Sequence, residues 1–439
     1  MTSTPGEISP FGRALRNVGW LLTGKGVGAV LSVFYLALVT RSLGADKFGQ
    51  FTLVLSTGQA VGAFVGFRTW QIVVRYGMRH LIGGDRLALG RLVRFCAALD
   101  VAAALVGCLV AIMALHVLRT KLGWSITQTQ QGMLFCVVLL LSVQSTAMGI
   151  LRLHDRFALG ASADAVTPIV RFVGALLTVW VHATVSGFLV AWAAAELLTA
   201  MVYWIAAVRT APGLFGRWRD TMAAPAENKG LWRFALVTNL STTLTTGSRQ
   251  FVVVLVGMFT GAAAAGNFRL AYQLSQALVR LSDLFARGIF PEFSRVHAAD
   301  AGEGLQTLVR QSGRLALGVG LVACLLVPLL GRPALLLIAG ESYLGAYPAL
   351  VVLGIAAGFD IMAAGFEPVL MGLGKASQAL AIRAGTAAIM LGGVALLMPS
   401  FGIVGAGAAT LAASAIGFVL LTRAALTVAR HARVGAVLR

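Results

Sequence analysis

The sequence predicts an all-α polytopic membrane protein: about 12 transmembrane helices in two parallel-repeat six-helix lobes around a central cavity. Three observations predict it. Apolar stretches, each near the roughly 20 residues that cross a bilayer at 1.5 Å rise per residue, fill almost the whole chain. The composition is 58% hydrophobic and only 12% charged, with a mean hydropathy of +0.85, against about 25% charged residues in soluble domains. A spaced glycine motif also recurs one half-chain later.

In chain order, the first half holds predicted spans at 18–40, 49–70, 92–118, 131–151, 164–182 and 186–208. The second half holds 232–259, 263–289, 307–330, 344–371, 377–398 and 404–426. Helices are expected throughout, because in lipid only a helix or a closed barrel satisfies its own backbone groups. Barrel strands would alternate apolar and polar residues, whereas these runs are continuously apolar. The expected divisions are a cytoplasmic segment 1–17, an N-lobe 18–208, a cytoplasmic linker 209–231, a C-lobe 232–426 and a basic tail 427–439. Residues 1–17 are polar and no small-residue cleavage site closes the first apolar run, so that run is expected to be a retained helix.

The formal net charge of +19 would point to nucleic acid in a soluble chain. Here the basic residues sit between apolar spans, and the charge reads as topology. With the N-terminus inside, the inner segments carry 25 Lys and Arg and the outer loops carry five: Arg41, Lys47, Arg119, Lys121 and Arg332. That bias puts both termini in the cytoplasm. The short outer loops leave no room for an external domain. The four cysteines, Cys96, Cys108, Cys136 and Cys324, lie singly in apolar runs and read as packing residues rather than metal ligands. Most tryptophans fall near span ends, as in an interfacial belt.

The repeat is specific. Gly44, Gly49 and Phe51 recur as Gly261, Gly266 and Phe268 at a constant offset of 217, and Gly187, Ala191 and Ala194 recur as Gly405, Ala409 and Ala412 at 218. Six spans per half, an even number, make the repeats parallel, with rocking between inward-open and outward-open states as the expected motion. Gly24-x-x-x-Gly28 and Gly354-x-x-x-Gly358 are spaced for close helix approach.

Of the charged residues inside the predicted spans, ten read as intramembrane: Lys25, Arg171, Arg249, Arg269 and Arg280, with Asp100, Glu196, Asp283, Asp360 and Glu367. Facing lipid, they would cost on the order of 25–35 kcal/mol together, more than a marginally stable fold absorbs. They must face water or one another. Lys25 and Arg249 occupy the same span of the two repeats, and with Arg269 they form the candidate substrate-binding set: cations on opposed lobes suited to a phosphate or diphosphate. Glu196, Asp360 and Glu367 are the candidates for proton or sodium coupling, since a desolvated carboxylate can titrate. Arg280 and Asp283, three apart, read as a structural pair, and Asp100 reads as structural.

These features carry a resemblance. Asn17, Gly24 and Gly28, followed by Arg41-Ser-Leu-Gly44 and Phe48-Gly49, resemble the opening of Wzx-type polysaccharide flippases. Gly266-Asn-Phe268-Arg-Leu-Ala271, Phe290-Pro291-Glu-Phe-Ser294, Ala339-Gly340-Glu-Ser-Tyr343 and Phe401-Gly402-Ile-Val-Gly405 resemble later parts of that family, in order, from about 17 to 426. The family belongs to the multidrug/oligosaccharidyl-lipid/polysaccharide exporter superfamily. The resemblance implies transfer of a polyprenyl-diphosphate-linked oligosaccharide from the cytoplasmic to the periplasmic leaflet of a bacterial inner membrane, for exopolysaccharide or O-antigen assembly. It implies no catalysis and no cofactor or metal. It also implies membrane lipids, a glycan polymerase and glycosyltransferases as working partners, and no nucleic acid. Lys25 and Arg249 match by position the cavity-side cations of such flippases. The sister peptidoglycan-precursor flippases usually carry two further C-terminal helices and several arginines in the first two spans, and this chain has neither. Two rivals remain: a cation-coupled multidrug exporter, expected to have an acid-dominated cavity, and a membrane glycosyltransferase, expected to have a long external loop.

Overall fold

The computed structural model describes residues 10–216, 220–277, 305–364, 366, 370 and 376–437. Within these ranges side chains are described from Gly28 to Thr427, save 305–313, 315 and 376. The protein is all-helical, with no strand among the described residues. Eight described stretches are long and apolar enough to cross a membrane; Ser377–Thr427 contains two predicted spans, and Gly28–Ile82 contains the second and part of the first.

The helices are α1 (Pro10–Val65), α2 (Thr69–Ile82), α3 (Arg86–Leu122), α4 (Ile126–Leu141), α5 (Ser145–Leu153), α6 (Phe157–Val181), α7 (Val185–Thr210), α8 (Ala224–Glu227), α9 (Leu231–Thr242) and α10 (Ser248–Thr260). They continue with α11 (262–277), α12 (Leu305–Ile338), α13 (Tyr347–Ala364) and α14 (Ala376–Val437). Local chemistry fixes several ends. Asp85 caps α3 by accepting from Ala88 N at 2.9 Å, and Gly123 ends it in a left-handed conformation. Ser125 and Gln128 form a capping box on α4. On α3, Val101, Leu105, Leu109, Met113 and Val117 are all at least half exposed and four residues apart. Such an apolar stripe faces lipid rather than water.

The chain packs as two compact units. The first comprises 1–43 and 57–243, and the second comprises 44–56 and 244–439. The packing units therefore differ from the sequence halves: 44–56 belongs with the second unit, and α9, at the head of the expected C-lobe, belongs with the first.

The repeat has a physical explanation. Gly44 turns α1 back on itself with φ 72° and ψ 172°, and Gly261 adopts φ 91° and ψ 173° between α10 and α11. Only glycine takes that backbone readily. Within the second unit the two motif copies pack on each other. A Cβ at Gly266 would lie 3.0 Å from the Cα and N of Gly49, and a Cβ at Gly49 would overlap the Ala262 carbonyl. Phe51 and Phe268 are both buried at 2% exposure. The second pair of matches behaves likewise. A Cβ at Gly174 would meet the Ala191 methyl at 2.6 Å in the first unit, and one at Gly393 would meet the Ala409 methyl at 3.0 Å in the second. Gly354 and Gly358 let α13 approach Val327, Cys324 and Gly320 of α12.

Two predicted spans are broken. The second is interrupted between α1 and α2 at 66–68, and the fourth between α4 and α5 at 142–144. Side chains cover the exposed backbone. Asn239 Nδ2 donates to the Gly66 carbonyl at 3.0 Å, Thr243 Oγ1 to the Ala63 carbonyl at 2.8 Å and Trp204 Nε1 to the Val143 carbonyl at 2.7 Å. Asp100 of α3 sits at the start of both second half-helices. Its carboxylate accepts from Thr69 Oγ1 at 2.8 Å, Thr146 Oγ1 at 2.6 Å and Thr146 N at 3.1 Å. Helix N-termini favour such an anion. Replacing Asp100 with leucine leaves these donors without their acceptor, and the variant is expected to lose at least about 2 kcal/mol, seen as a lower melting midpoint in detergent. Asparagine, which keeps one acceptor oxygen, is expected to cost less.

Candidate functional site

The charged residues inside the spans resolve into two separate clusters, one in each unit. A π-helical turn, Thr243–Gly247, leads into α10 of the second unit. Single π turns of this kind recur at functional sites because the register shift re-aims the following side chains. Arg249 lies in the first turn of α10. Its Nη2 pairs with Asp360 Oδ2 of α13 at 2.5 Å, and its Nη1 donates to Tyr272 Oη of α11 at 3.1 Å. Both members of the pair remain partly open, at 31% and 27% side-chain exposure.

The pair borders a cavity of about 50 Å³, room for a few waters. Arg383, Thr245, Ser248, Thr386 and Ser414 also line it. Among the described residues its wall includes two arginines, Arg249 and Arg383, and one acid, Asp360. The charge sorting places Arg383 with the inner segments, whereas the structure puts it on the cavity wall. No sequence signal marked it, because it sits within two turns of the span's start, where a long arginine side chain can still snorkel to the interface.

Arg269 of α11 is 7% exposed and donates from Nη1 to Gln250 Oε1 at 2.6 Å. It is therefore directed into the second unit rather than out to the bilayer surface. In the first unit, Arg171 of α6 pairs with Glu196 of α7. The Arg171 guanidinium lies 3.5 Å from the centre of the Trp192 ring, which in turn meets Tyr35 edge-on at 5.7 Å. This sandwich spreads the cation over a π face and a carboxylate, the usual way to hold a charge inside a span.

The structure thus brings Arg249 together with Asp360, and Arg171 with Glu196. It places Arg269 beside Gln250, the residue that follows Arg249. The Lys25 side chain, Glu367, Arg280 and Asp283 lie outside the described residues. Among the described residues no group of three His, Cys, Asp or Glu side chains could hold a metal ion.

Comparison with known proteins sets these clusters in context. The profile of a family described as polysaccharide biosynthesis protein matches residues 14–297. The inner membrane protein YghQ of Escherichia coli (strain K12) is 29% identical over 340 residues, covering 77% of this chain and 95% of that protein. Among solved structures, an inward-facing multidrug resistance MATE family transporter of the MOP superfamily superposes with a TM-score of 0.67 at 14% identity, covering 92% of this chain and 96% of that one. The lipid II flippase MurJ in an inward closed conformation superposes with a TM-score of 0.58 at 11% identity, covering 92% and 87%. At such identities the structural likeness establishes the fold, a two-lobe bundle of about twelve membrane helices.

Proposed function

The chain belongs to the polysaccharide biosynthesis protein family, and on that premise we propose that it carries a polyprenyl-diphosphate-linked oligosaccharide from the cytoplasmic to the periplasmic leaflet of a bacterial inner membrane. The family match over 14–297 carries this reading. The presence of Arg249 and Arg383 on the wall of the second-unit cavity supports an anionic cargo. The fold is shared with multidrug transporters and with a lipid II flippase alike, so it does not choose between cargoes. The absence of an acid-dominated wall in the described cavity favours the anion.

In this reading Asp360 is a placeholder. It holds Arg249 in position until a diphosphate oxygen takes over the guanidinium, an exchange of one charge-assisted contact for another. The site widens as the pair parts, because about 50 Å³ is too little for a diphosphate. Lys25 and Arg269 are proposed as further contacts of the same head group. The excess of basic residues in alternate loops supports a cytoplasmic position for both termini. Outward movement of an anion across an inside-negative membrane is favoured by about 2.3 kcal/mol per charge per 100 mV, so the potential itself can drive export.

The test is a deletion strain of the source bacterium. It is expected to accumulate lipid-linked glycan accessible only from the cytoplasm and to lose the corresponding surface polymer, both restored by the plasmid-borne gene. Unchanged surface polymer together with new drug sensitivity would replace this reading with the multidrug one.

A further inference from the structure

A second concavity, in the first unit, has a different chemistry. It is a groove of about 710 Å³ between α3, the end of α4, α7 and the turn Pro212–Phe215. Its walls are apolar: Val101, Leu105, Leu141, Leu197 and Met201 line it, each 46–55% exposed. Three polar side chains reach it. Ser142 Oγ donates to the Val138 carbonyl at 2.7 Å, and Trp204 Nε1 is bound to the Val143 carbonyl.

The third is Arg94, only 7% exposed. Its Nη1 donates to the Leu214 carbonyl at 3.0 Å, and Gly90 leaves the space for that reach, since a Cβ there would lie 3.0 Å from the same Nη1. The Nε of Arg94 is buried with no hydrogen-bond partner, and among the described residues Arg94 forms no ion pair. A buried arginine without a counter-charge is costly, and this one stands at the end of an apolar trough.

From Arg94 to Leu105 the lining runs along α3 for about 16 Å at 1.5 Å per residue. One leaflet of a hydrocarbon core is about 15 Å deep, half of the usual thickness. The groove therefore has the length of a single lipid chain, with the cation where a head group would lie. Basic pockets between membrane helices are recognised sites for anionic head groups.

We propose that this groove binds an anionic phospholipid, its acyl chain along α3 and α7 and its phosphate on Arg94. A glycan-bearing lipid fits less well, because apart from Arg94 the only polar side chains in the lining are Ser142, whose hydroxyl proton is given to the Val138 carbonyl, and Trp204, whose Nε1 is bound to the Val143 carbonyl. The site is independent of the cargo reading above.

Native mass spectrometry tests it on the full-length protein released from micelles after incubation with phosphatidylglycerol or phosphatidylcholine of identical chains. Wild type is expected to retain phosphatidylglycerol about fivefold more than phosphatidylcholine, the size expected of one cation at the head-group level. Arg94→Gln is expected to lose that preference, and Arg94→Lys to restore part of it. Ala98→Trp fills the trough while leaving the Arg94–Leu214 contact in place, so it is expected to lower retention of both lipids even if the Arg94 variants fold poorly. Equal retention of the two lipids by wild type, or an unchanged preference in a folded Arg94→Gln, would overturn the proposal. Displacement of phosphatidylglycerol by an equimolar polyprenyl phosphate would overturn it too, reassigning the groove to the carrier lipid.

Discussion

Replacing Arg249 with methionine is expected to abolish glycan export and to lower the amount of folded protein. Replacing Arg249 and Asp360 together, with methionine and leucine, is expected to restore the folded protein without restoring export. The single change leaves Asp360 half-buried with no cation, and breaking such a pair costs about 3–5 kcal/mol. The double change removes both charges, and an apolar pair of similar volume is commonly neutral or better for stability. The two readouts therefore separate two roles. If Arg249 served only to neutralise Asp360, the double variant would recover export along with abundance. If its guanidinium also receives the cargo's diphosphate, abundance returns and export does not. Measuring surface polymer per folded transporter, quantified by fluorescence-detected gel filtration, decides between them. A charge swap, Arg249→Asp with Asp360→Arg, sharpens the contrast, since it keeps the pair but moves the cation to α13.

The second large effect is expected at Gly49. Alanine there would set its Cβ against the backbone carbonyl of Ala262, with Ala263 N at 2.9 Å. No rotamer change relieves a clash with backbone, so the two motif copies must separate. Overpacking at well-packed sites costs about 1–3 kcal/mol, and a larger side chain such as leucine is expected to prevent folding altogether. Gly160 is the control: it lies in α6, where nothing stands within 4 Å of an added Cβ. Alanine at Gly160 is expected to be neutral or stabilising by up to about 1 kcal/mol, the helix-propensity difference. Equal tolerance at Gly49 and Gly160 in a thermal-shift assay would contradict the close approach of Gly49 and Gly266.

Much of this architecture is legible in the sequence because lipid imposes simple rules. A continuous apolar run must be a helix, and the glycines of the Gly44 and Gly261 motifs announce turns that other residues resist. The repeat offset matches Ala191 with Ala409, and in the structure each of these alanines packs on a glycine, Gly174 and Gly393. The breaks at 66–68 and 142–144 are not legible. Each is created by tertiary hydrogen bonds from distant residues such as Asn239 and Trp204, not by a local proline. The same holds for the site. The cost of burying charge requires Arg249 and Arg171 to find partners, but Asp360 is 111 residues away from Arg249, and nothing local selects it over the other acids. Arg94 and Arg383 were hidden for a different reason: near a span end, a cation that lines a groove and a cation that reaches the surface look alike in one dimension.

The most direct measurement is transport by the purified protein in sealed vesicles. Vesicles would carry a polyprenyl-diphosphate oligosaccharide with a fluorescent sugar, and a membrane-impermeant reagent would quench the label in the outer leaflet. Wild-type protein is expected to make both leaflets' label accessible over time, and faster when a potential draws the anion outward. The Arg249→Met/Asp360→Leu protein, equally folded, is expected to behave as empty vesicles do. If the wild-type rate equalled that of empty vesicles, or if the double variant matched wild type, the anionic-cargo account would be contradicted.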